Sequence, residues 1–268
     1  MLPLYNAALW PFRLALPAWA WWRRRDPGGR TEWDERLVRR FPQLGPGAAW
    51  IHGASAGEAR LVSALADAVA RHRPALPLLV SATTPAGRRM LPAPPAVAAA
   101  CFLPLDLPGL PARFLDAVRP AALALVETEL WPNLLAAARA RRLPVVVLNA
   151  RLSPRRMRRY RGLSGLYRPA LAGLARVGAQ SAEDAARFIQ LGTPAERVEI
   201  TGNVKYDLPR PDVDPVELRR RFGLAAGRPV FVAGSTAPGE EEQVLEAFAA
   251  ARRAAPELFL VLAPRHAA

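Results

Sequence analysis

From residue 49 onward, two hydrophobic patterns alternate along the chain. Short apolar runs rich in Val, Leu, Ile and Ala recur in AAWIHG, LPLLVSATT, ACFLPLD, PAALALVETE, PVVVLNAR and RVGAQS. Continuous apolar runs of this length predict strands buried on both faces. Between them, apolar residues recur at helical spacing. Leu61, Leu65, Ala68 and Val69 lie between Glu58 and His72, and PAGRRML, LPARFLDAVR, WPNLLAAARARRL and AEDAARFIQLG follow in turn. Strand, helix and short loop in strict alternation predict an α/β fold with a parallel sheet covered on both sides. RVEITGNVKYD is read as a further strand, and the helix TEWDERLVRRF (Thr31 to Phe41) is read as capped by Thr31.

The rhythm breaks twice. Arg151 to Leu171 carries seven arginines, among them Arg151, Arg155 and Arg156, and no strand. LPRPDVDP, residues 208–215, is rich in proline and aspartate and reads as a linker. Beyond it, RPVFVAGST, a helix and ELFLVLAPRH start a second α/β rhythm. The predicted organisation is an N-terminal segment over 1–30, an α/β domain over 31–207, the linker, and an incomplete second α/β domain over 216–268. Two strands and one helix do not cover both faces of a sheet, so further sequence or another chain is expected to complete it.

The chain has 268 residues and a formal net charge of +14, with 37 Lys plus Arg against 23 Asp plus Glu. Such a balance suits an anionic partner. The first 25 residues are mostly apolar, contain Trp10, Trp19, Trp21 and Trp22, and end in Arg23, Arg24 and Arg25. Tryptophans beside arginines fit a segment lying in a lipid headgroup layer, while prolines and Arg13 weaken it as a spanning helix. The aromatics do not interleave with the basic stretch after Arg151, which argues against a nucleic-acid binder. One cysteine, Cys101, excludes an internal disulfide, and His52, His72 and His266 have no metal-ligand spacing.

In parallel sheets, ligands gather at the carboxyl ends of the strands. Glu58, Thr83, Thr84, Asp106, Glu127, Glu129, Asn149 and Arg151 fall at or just beyond those ends. Position alone leaves Glu58 two readings: an acid favoured by the helix dipole, or a functional carboxylate. In ETELWPN, a strand continued past Val126 would send Glu127 and Glu129 to one side and Thr128 to the other. A buried Glu127 would require an arginine or a backbone donor, and a helix-start role beside Trp131 and Pro132 is the other reading. GSTAPGEEE offers a Gly-Ser-Thr turn before a helix, which can hold an anion, with most of its three glutamates in solvent. It matches neither a Walker loop nor a dinucleotide fingerprint.

Taken together and in order, WIHGASAGE, ETELWPNLL, NARLS, GNVKYD, GSTAPGEEE and APRH resemble the 3-deoxy-D-manno-octulosonic acid (Kdo) transferases of lipopolysaccharide synthesis. The resemblance implies a GT-B fold, in which an N-terminal acceptor domain is followed by a C-terminal donor domain, both Rossmann-like. It implies an inverting transfer of Kdo from CMP-Kdo to the lipid A precursor, a bis-phosphorylated acylated disaccharide, without metal or other cofactor. The location implied is the cytoplasmic face of a bacterial inner membrane. By resemblance Glu58 is the general base and Glu127 the second carboxylate. Ser55, Gly57, Arg151, Arg155 and Arg156 would serve the acceptor, and Ser235, Thr236 and Arg265 the donor. The family commonly has His after Gly-Ser-Thr, where this chain has Ala237 and Pro238. It also implies more donor-domain sequence, so a C-terminal half supplied separately is an expected partner. The alternative is an inactive module that binds membrane or anionic glycolipid.

Overall fold

In the computed structural model, which describes residues 1–26, 28–208 and 213–265, seven parallel strands form one sheet. They are β1 (Ala49–His52), β2 (Leu78–Ala82), β3 (Ala99–Phe102), β4 (Ala122–Val126), β5 (Val145–Ala150), β6 (Arg176–Ala179) and β7 (Val198–Ile200), in the order β3-β2-β1-β4-β5-β6-β7. Three helices precede the sheet: α1 (Leu2–Ala8), α2 (Trp10–Arg23) and α3 (Gly29–Arg36). Its connections carry α4 (Ala56–His72), α5 (Pro85–Met90), α6 (Leu110–Val118), α7 (Pro132–Ala140), α8 (Pro154–Gly162), α9 (Ser164–Leu171) and α10 (Ala182–Gln190).

Alternate residues of each strand feed two cores. Trp50, Leu79, Leu123, Leu125 and Val147 pack with Phe114, Leu134 and Phe188 on one side. Ile51, Val80 and Val126 pack with Leu61, Val62 and Ala66 on the other. Trp50 donates to Ser81 Oγ at 2.7 Å, and His52 Nδ1 lies 2.9 Å from the same oxygen. His52 is fully buried, and burial pushes its pKa down to about 3, so this histidine is a neutral core residue.

Four helices begin just beyond strand ends with a side-chain cap. Ser55, Thr84, Ser153 and Ser181 accept the backbone N–H three residues on, that of Glu58, Gly87, Arg156 and Asp184 respectively. Several expectations shift. The helix read from Thr31 begins at Gly29, with Gly28 rather than Thr31 at its cap, and it stops at Arg36 before a left-handed Val38. The strand read through RVEITGNVKYD closes at Ile200; Gly202 turns the backbone left-handed, and a 3₁₀ turn follows over Val204–Asp207. The arginine-rich stretch forms the paired short helices α8 and α9.

The chain divides into two compact units, Met1–Leu208 and Pro209–Ala268. In the second, α11 (Pro215–Arg221) precedes β8 (Val230–Thr236), α12 (Glu240–Ala254) and β9 (Phe259–Pro264), with β8 and β9 paired in parallel. Among its described residues only Leu224, Ala233 and Thr236 are buried. Residues 209–212, half of the expected linker, lie outside the described residues, as does His266.

Candidate functional site

The strand order places a topological switch at β1 and β4. From β1 the chain proceeds to β2 and β3 on one side; from β4 it proceeds to β5, β6 and β7 on the other. Connections that leave in opposite directions open a crevice at the carboxyl ends of these neighbours. Glu58 stands in the first turn of α4 after β1, and Glu127 immediately follows β4.

The loop carrying Glu58 is tightly tied. The amides of Thr83 and Thr84 both donate to Ala54 O, at 3.1 and 2.9 Å. A Cβ on Gly87 would come within 3.0 Å of Ala54 O, so α5 rests against this loop. A Cβ on Gly53 would lie 2.8 Å from Val62 Cγ2 and 3.0 Å from Glu58 Cβ, and only glycine lets α4 come down so close to β1. Ser55 Oγ accepts Glu58 N–H at 3.3 Å, while Glu58 Oε2 accepts Ala54 N–H at 2.5 Å and Oε1 accepts the Ser55 hydroxyl at 3.2 Å. This is a capping box reaching back one residue further than usual. Two hydrogen bonds orient the carboxylate, whose remaining lone pairs stay available. Gly57, beside it in the first turn, is exposed.

The strand does not continue through Glu127. It ends at Val126, and Glu127 itself is left-handed with φ 62°, which corrects the expectation that Glu127 and Glu129 follow strand alternation. Glu127 Oε1 receives Lys205 Nζ at 2.8 Å, a pairing supplied by lysine where sequence reasoning anticipated an arginine or the backbone. Buried Thr128 donates its hydroxyl to Arg151 O. Glu129 Oε2 accepts the Trp131 indole N–H at 3.1 Å. Burial pushes the Glu129 pKa up to about 7, and the nearby charge of Glu58 adds to the rise. The Trp131 hydrogen bond and the charge of Arg156 act in the other direction.

Lys205 reaches this place through Asn149, the asparagine of NARLS. Asn149 is buried and left-handed at the end of β5, and its Oδ1 accepts Val204 N–H at 3.0 Å. Asn203 Oδ1 then accepts Lys205 N–H at 3.0 Å, which sets the 3₁₀ turn. Beyond β5, Arg151, Arg155 and Arg156 are exposed, the last two in the first turn of α8.

Asp106, which follows β3, caps α7 from outside the helix. Its carboxylate accepts Asn133 N–H at 3.0 Å and Leu134 N–H at 2.8 Å, and also the Tyr5 hydroxyl at 3.1 Å. Burial raises the Asp106 pKa above the ordinary carboxylate range against these three bonds. Tyr5 thereby fastens α1 to the sheet's ligand end.

Of the residues singled out in the sequence, Ser55 and Glu58 meet directly. Glu58, Glu127 and Arg156 act electrostatically on Glu129. Trp131 and Lys205 were missed as site residues, and Glu129, though placed at a strand end, was given no role. A signal for Lys205 existed, since it is the only lysine in an arginine-rich chain. Ser235, Thr236 and Arg265 form a separate cluster within the second unit. Ser235 is left-handed with φ 62°, Arg265 Nε donates to its hydroxyl at 3.5 Å, and the buried Thr236 donates to Glu241 at 2.6 Å. Glu240 accepts Ala237 N–H at 2.8 Å. Two of the three glutamates, most of which were expected in solvent, therefore brace the turn.

The family model described as 3-deoxy-D-manno-octulosonic-acid transferase matches residues 31–208. The 3-deoxy-D-manno-octulosonic acid transferase of Bordetella pertussis is 36% identical over 98% of this chain and 64% of its own length. That of Haemophilus influenzae is 34% identical over 87% and 56%. The chain thus spans about three fifths of the length of these relatives. Among solved structures, the UDP-GlcNAc 2-epimerase of Neisseria meningitidis bound to UDP-GlcNAc superposes with a TM-score of 0.58 at 13% identity, covering 80% of this chain and 64% of its own. HepE of Anabaena, in complex with UDP and glucose, gives 0.53 at 20% identity over 81% and 60%. These likenesses agree with a GT-B-like α/β fold. On a match that spans the whole switch-point crevice, from α3 to the Lys205 turn, the chain belongs to the 3-deoxy-D-manno-octulosonic acid (Kdo) transferase family.

Proposed function

We propose that the chain contributes the acceptor half, and the start of the donor half, of an inverting Kdo transferase. The reaction moves Kdo from CMP-Kdo to a hydroxyl of the lipid A precursor, lipid IVA. The observation that carries this reading is the oriented carboxylate of Glu58 at the switch-point crevice, beside Glu129 and the Glu127–Lys205 pair.

An inverting transfer needs a base on the acceptor side. The acceptor O–H proton passes to Glu58 as its oxygen bonds to the anomeric carbon of Kdo. The bond from that carbon to the phosphate breaks, and CMP leaves with the electron pair. Hydrogen bonds from Ala54 N–H and Ser55 hold the Glu58 carboxylate in one orientation. A Glu129 whose pKa is pushed up to about 7 carries less negative charge beside Glu58 than an ordinary carboxylate would. Lys205 neutralises Glu127. Arg151, Arg155 and Arg156 present guanidinium forks to acceptor phosphates. Ser235, Thr236 and Arg265 serve the donor from the second unit.

No described helix is long and apolar enough to cross a membrane. Leu16 and Ala20 of α2 pack on the body, whereas Trp10, Phe12, Leu14, Trp21 and Trp22 are exposed. Arg25 lies 3.8 Å from the Trp21 ring centroid and Arg13 5.6 Å from that of Trp10. This arrangement supports a peripheral seat on the anionic inner face of a bacterial inner membrane. The test is transfer from CMP-Kdo to lipid IVA by this chain, with and without a separately supplied donor half. Glu58→Gln should abolish product formation while the circular dichroism spectrum persists; turnover retained in Glu58→Gln removes Glu58 from the base role.

A further inference from the structure

Beside the carboxylate crevice lies an apolar groove of 560 Å³ between α2 and the loop after β3. Phe12, Leu16 and Trp19 of α2 line it on one side and Leu105 and Leu107 on the other, and Trp131, hydrogen-bonded to Glu129, joins the lining to the crevice. The volume falls within the range of about 300–1,000 Å³ found for small-ligand sites. Along α2, from Leu9 to Trp19, the groove runs for roughly 15 Å at the helical rise per residue, the shape of a channel for one extended hydrocarbon tail.

Its polar groups are confined to one place. The Asp106 carboxylate is shared among Tyr5 and two α7 amides, which leaves the remainder of the lining aliphatic or aromatic. Trp131 faces two ways. Its ring lines the groove, and its N–H is donated to Glu129 in the crevice at 3.1 Å. The neighbouring surface is cationic. Tyr167 of α9 packs against Tyr160 of α8 with ring centroids 4.4 Å apart, and the Tyr167 hydroxyl feels the charges of both Arg159 and Asp106. Arg156 in turn acts on Glu129. An occupant that fits is apolar along its length, and an anionic head at the end nearest Trp131 would be held by Arg156 and Arg159 against the carboxylates Glu129 and Asp106.

We infer that this groove binds a single acyl chain of an anionic amphiphile and delivers its head to the Glu58–Glu129 crevice past Trp131. Assigning that amphiphile as the acylated acceptor rests on the function proposed above. The acyl-chain site itself stands on the groove.

The test uses the 268-residue chain and bromododecanoic acid below its micellar concentration. Bromine seated in the groove quenches indole fluorescence from Trp19 and Trp131. Ala15 lines the groove but is exposed and outside the core, so Ala15→Phe fills the channel without touching the fold. Leu14→Phe, on an exposed position outside the groove, is the control. Ala15→Phe should weaken binding by about tenfold or more, equivalent to about 1.4 kcal/mol, and Leu14→Phe should leave it unchanged. In a second arm, Ala15→Phe should weaken binding of the acylated phosphorylated disaccharide but not of its deacylated form. Absence of quenching in the parent chain overturns the inference, as do equal affinities in Ala15→Phe and Leu14→Phe. Binding to phosphatidylglycerol vesicles without monomer binding also overturns it, in favour of a flat bilayer contact. If the fatty-acid arm behaves as expected and neither disaccharide binds, the groove stands and the acceptor assignment falls.

Discussion

The raised pKa of Glu129 makes a stability prediction that does not depend on the reaction. In the unfolded chain its carboxyl titrates near the ordinary 4.5, and in the fold near 7, because burial and the Glu58 charge disfavour the anion. The folded state therefore holds this proton more tightly than the unfolded chain. The stabilisation it brings is complete below about pH 4.5 and is lost as pH rises through about 7. A rise from 4.5 to about 7 corresponds to about 3 kcal/mol, an upper bound for a side chain that is only part-buried. Glu129→Gln keeps an oxygen to accept the Trp131 N–H and removes the titration. Urea unfolding of parent and variant should give similar stabilities at about pH 4.5, and at about pH 8.5 the variant should be the more stable by about 1–3 kcal/mol. Titrating groups that do not interact with Glu129 are common to both proteins and cancel in the difference; relief of the repulsion with Glu58 and Glu127 is part of the predicted gain. Stability curves that run parallel across that interval refute the assignment of a raised Glu129.

Gly53→Ala should lower stability by about 2 kcal/mol, because its methyl group meets Val62 at 2.8 Å and Glu58 at 3.0 Å, and either α4 or the strand must move; an unchanged melting temperature would show that α4 is free to shift. Replacing exposed Trp10, Trp21 and Trp22 together by Ser should reduce partition into phosphatidylglycerol vesicles by roughly tenfold or more. Retained partition, measured by cosedimentation, would remove α2 from the membrane seat.

The alternation of strands and helices was legible because period and length carry it. Val and Leu runs such as those at Leu78–Ala82 and Val145–Ala150 leave little choice in a chain that needs a buried parallel sheet. The caps were not legible in the same way: the one read from the sequence, Thr31, gave way to Gly28, and Ser55, Thr84, Ser153 and Ser181 emerged as caps only in the structure. What periodicity could not carry were the single-residue turns. Val38, Glu127 and Asn149 adopt left-handed backbone, a conformation that tertiary contacts impose on non-glycine residues and local propensity does not announce. The Glu127–Lys205 pair joins positions 78 residues apart, so no local pattern contains it. It depends on a buried Asn149 that holds the intervening turn. Glu129 was visible as a carboxylate at a strand end, but its high pKa arises from burial beside Glu58, which only the assembled crevice supplies.

The left-handed residue at Glu127 bears on how the crevice is built. A non-glycine residue in this region costs of order 1–2 kcal/mol, and here it ends β4 and turns the carboxylate toward Lys205 instead of along the strand face. The same conformation recurs at Asn149, at the end of β5, and at Ser235, near the end of β8. Polar side chains are thus placed at the ligand ends of strands at a cost in backbone energy. Comparing Glu127→Ala with Glu127→Gly isolates that cost, because both variants lose the pair with Lys205 and only glycine relieves the backbone. Glu127→Gly should be more stable than Glu127→Ala by about 1 kcal/mol, less the part that glycine returns through its freer unfolded chain. At a relaxed strand end the sign reverses and alanine is the more stable. An alanine variant that matches or exceeds glycine would therefore mean that Glu127 is not held in the left-handed region, and the turn that presents it to Lys205 would need another cause.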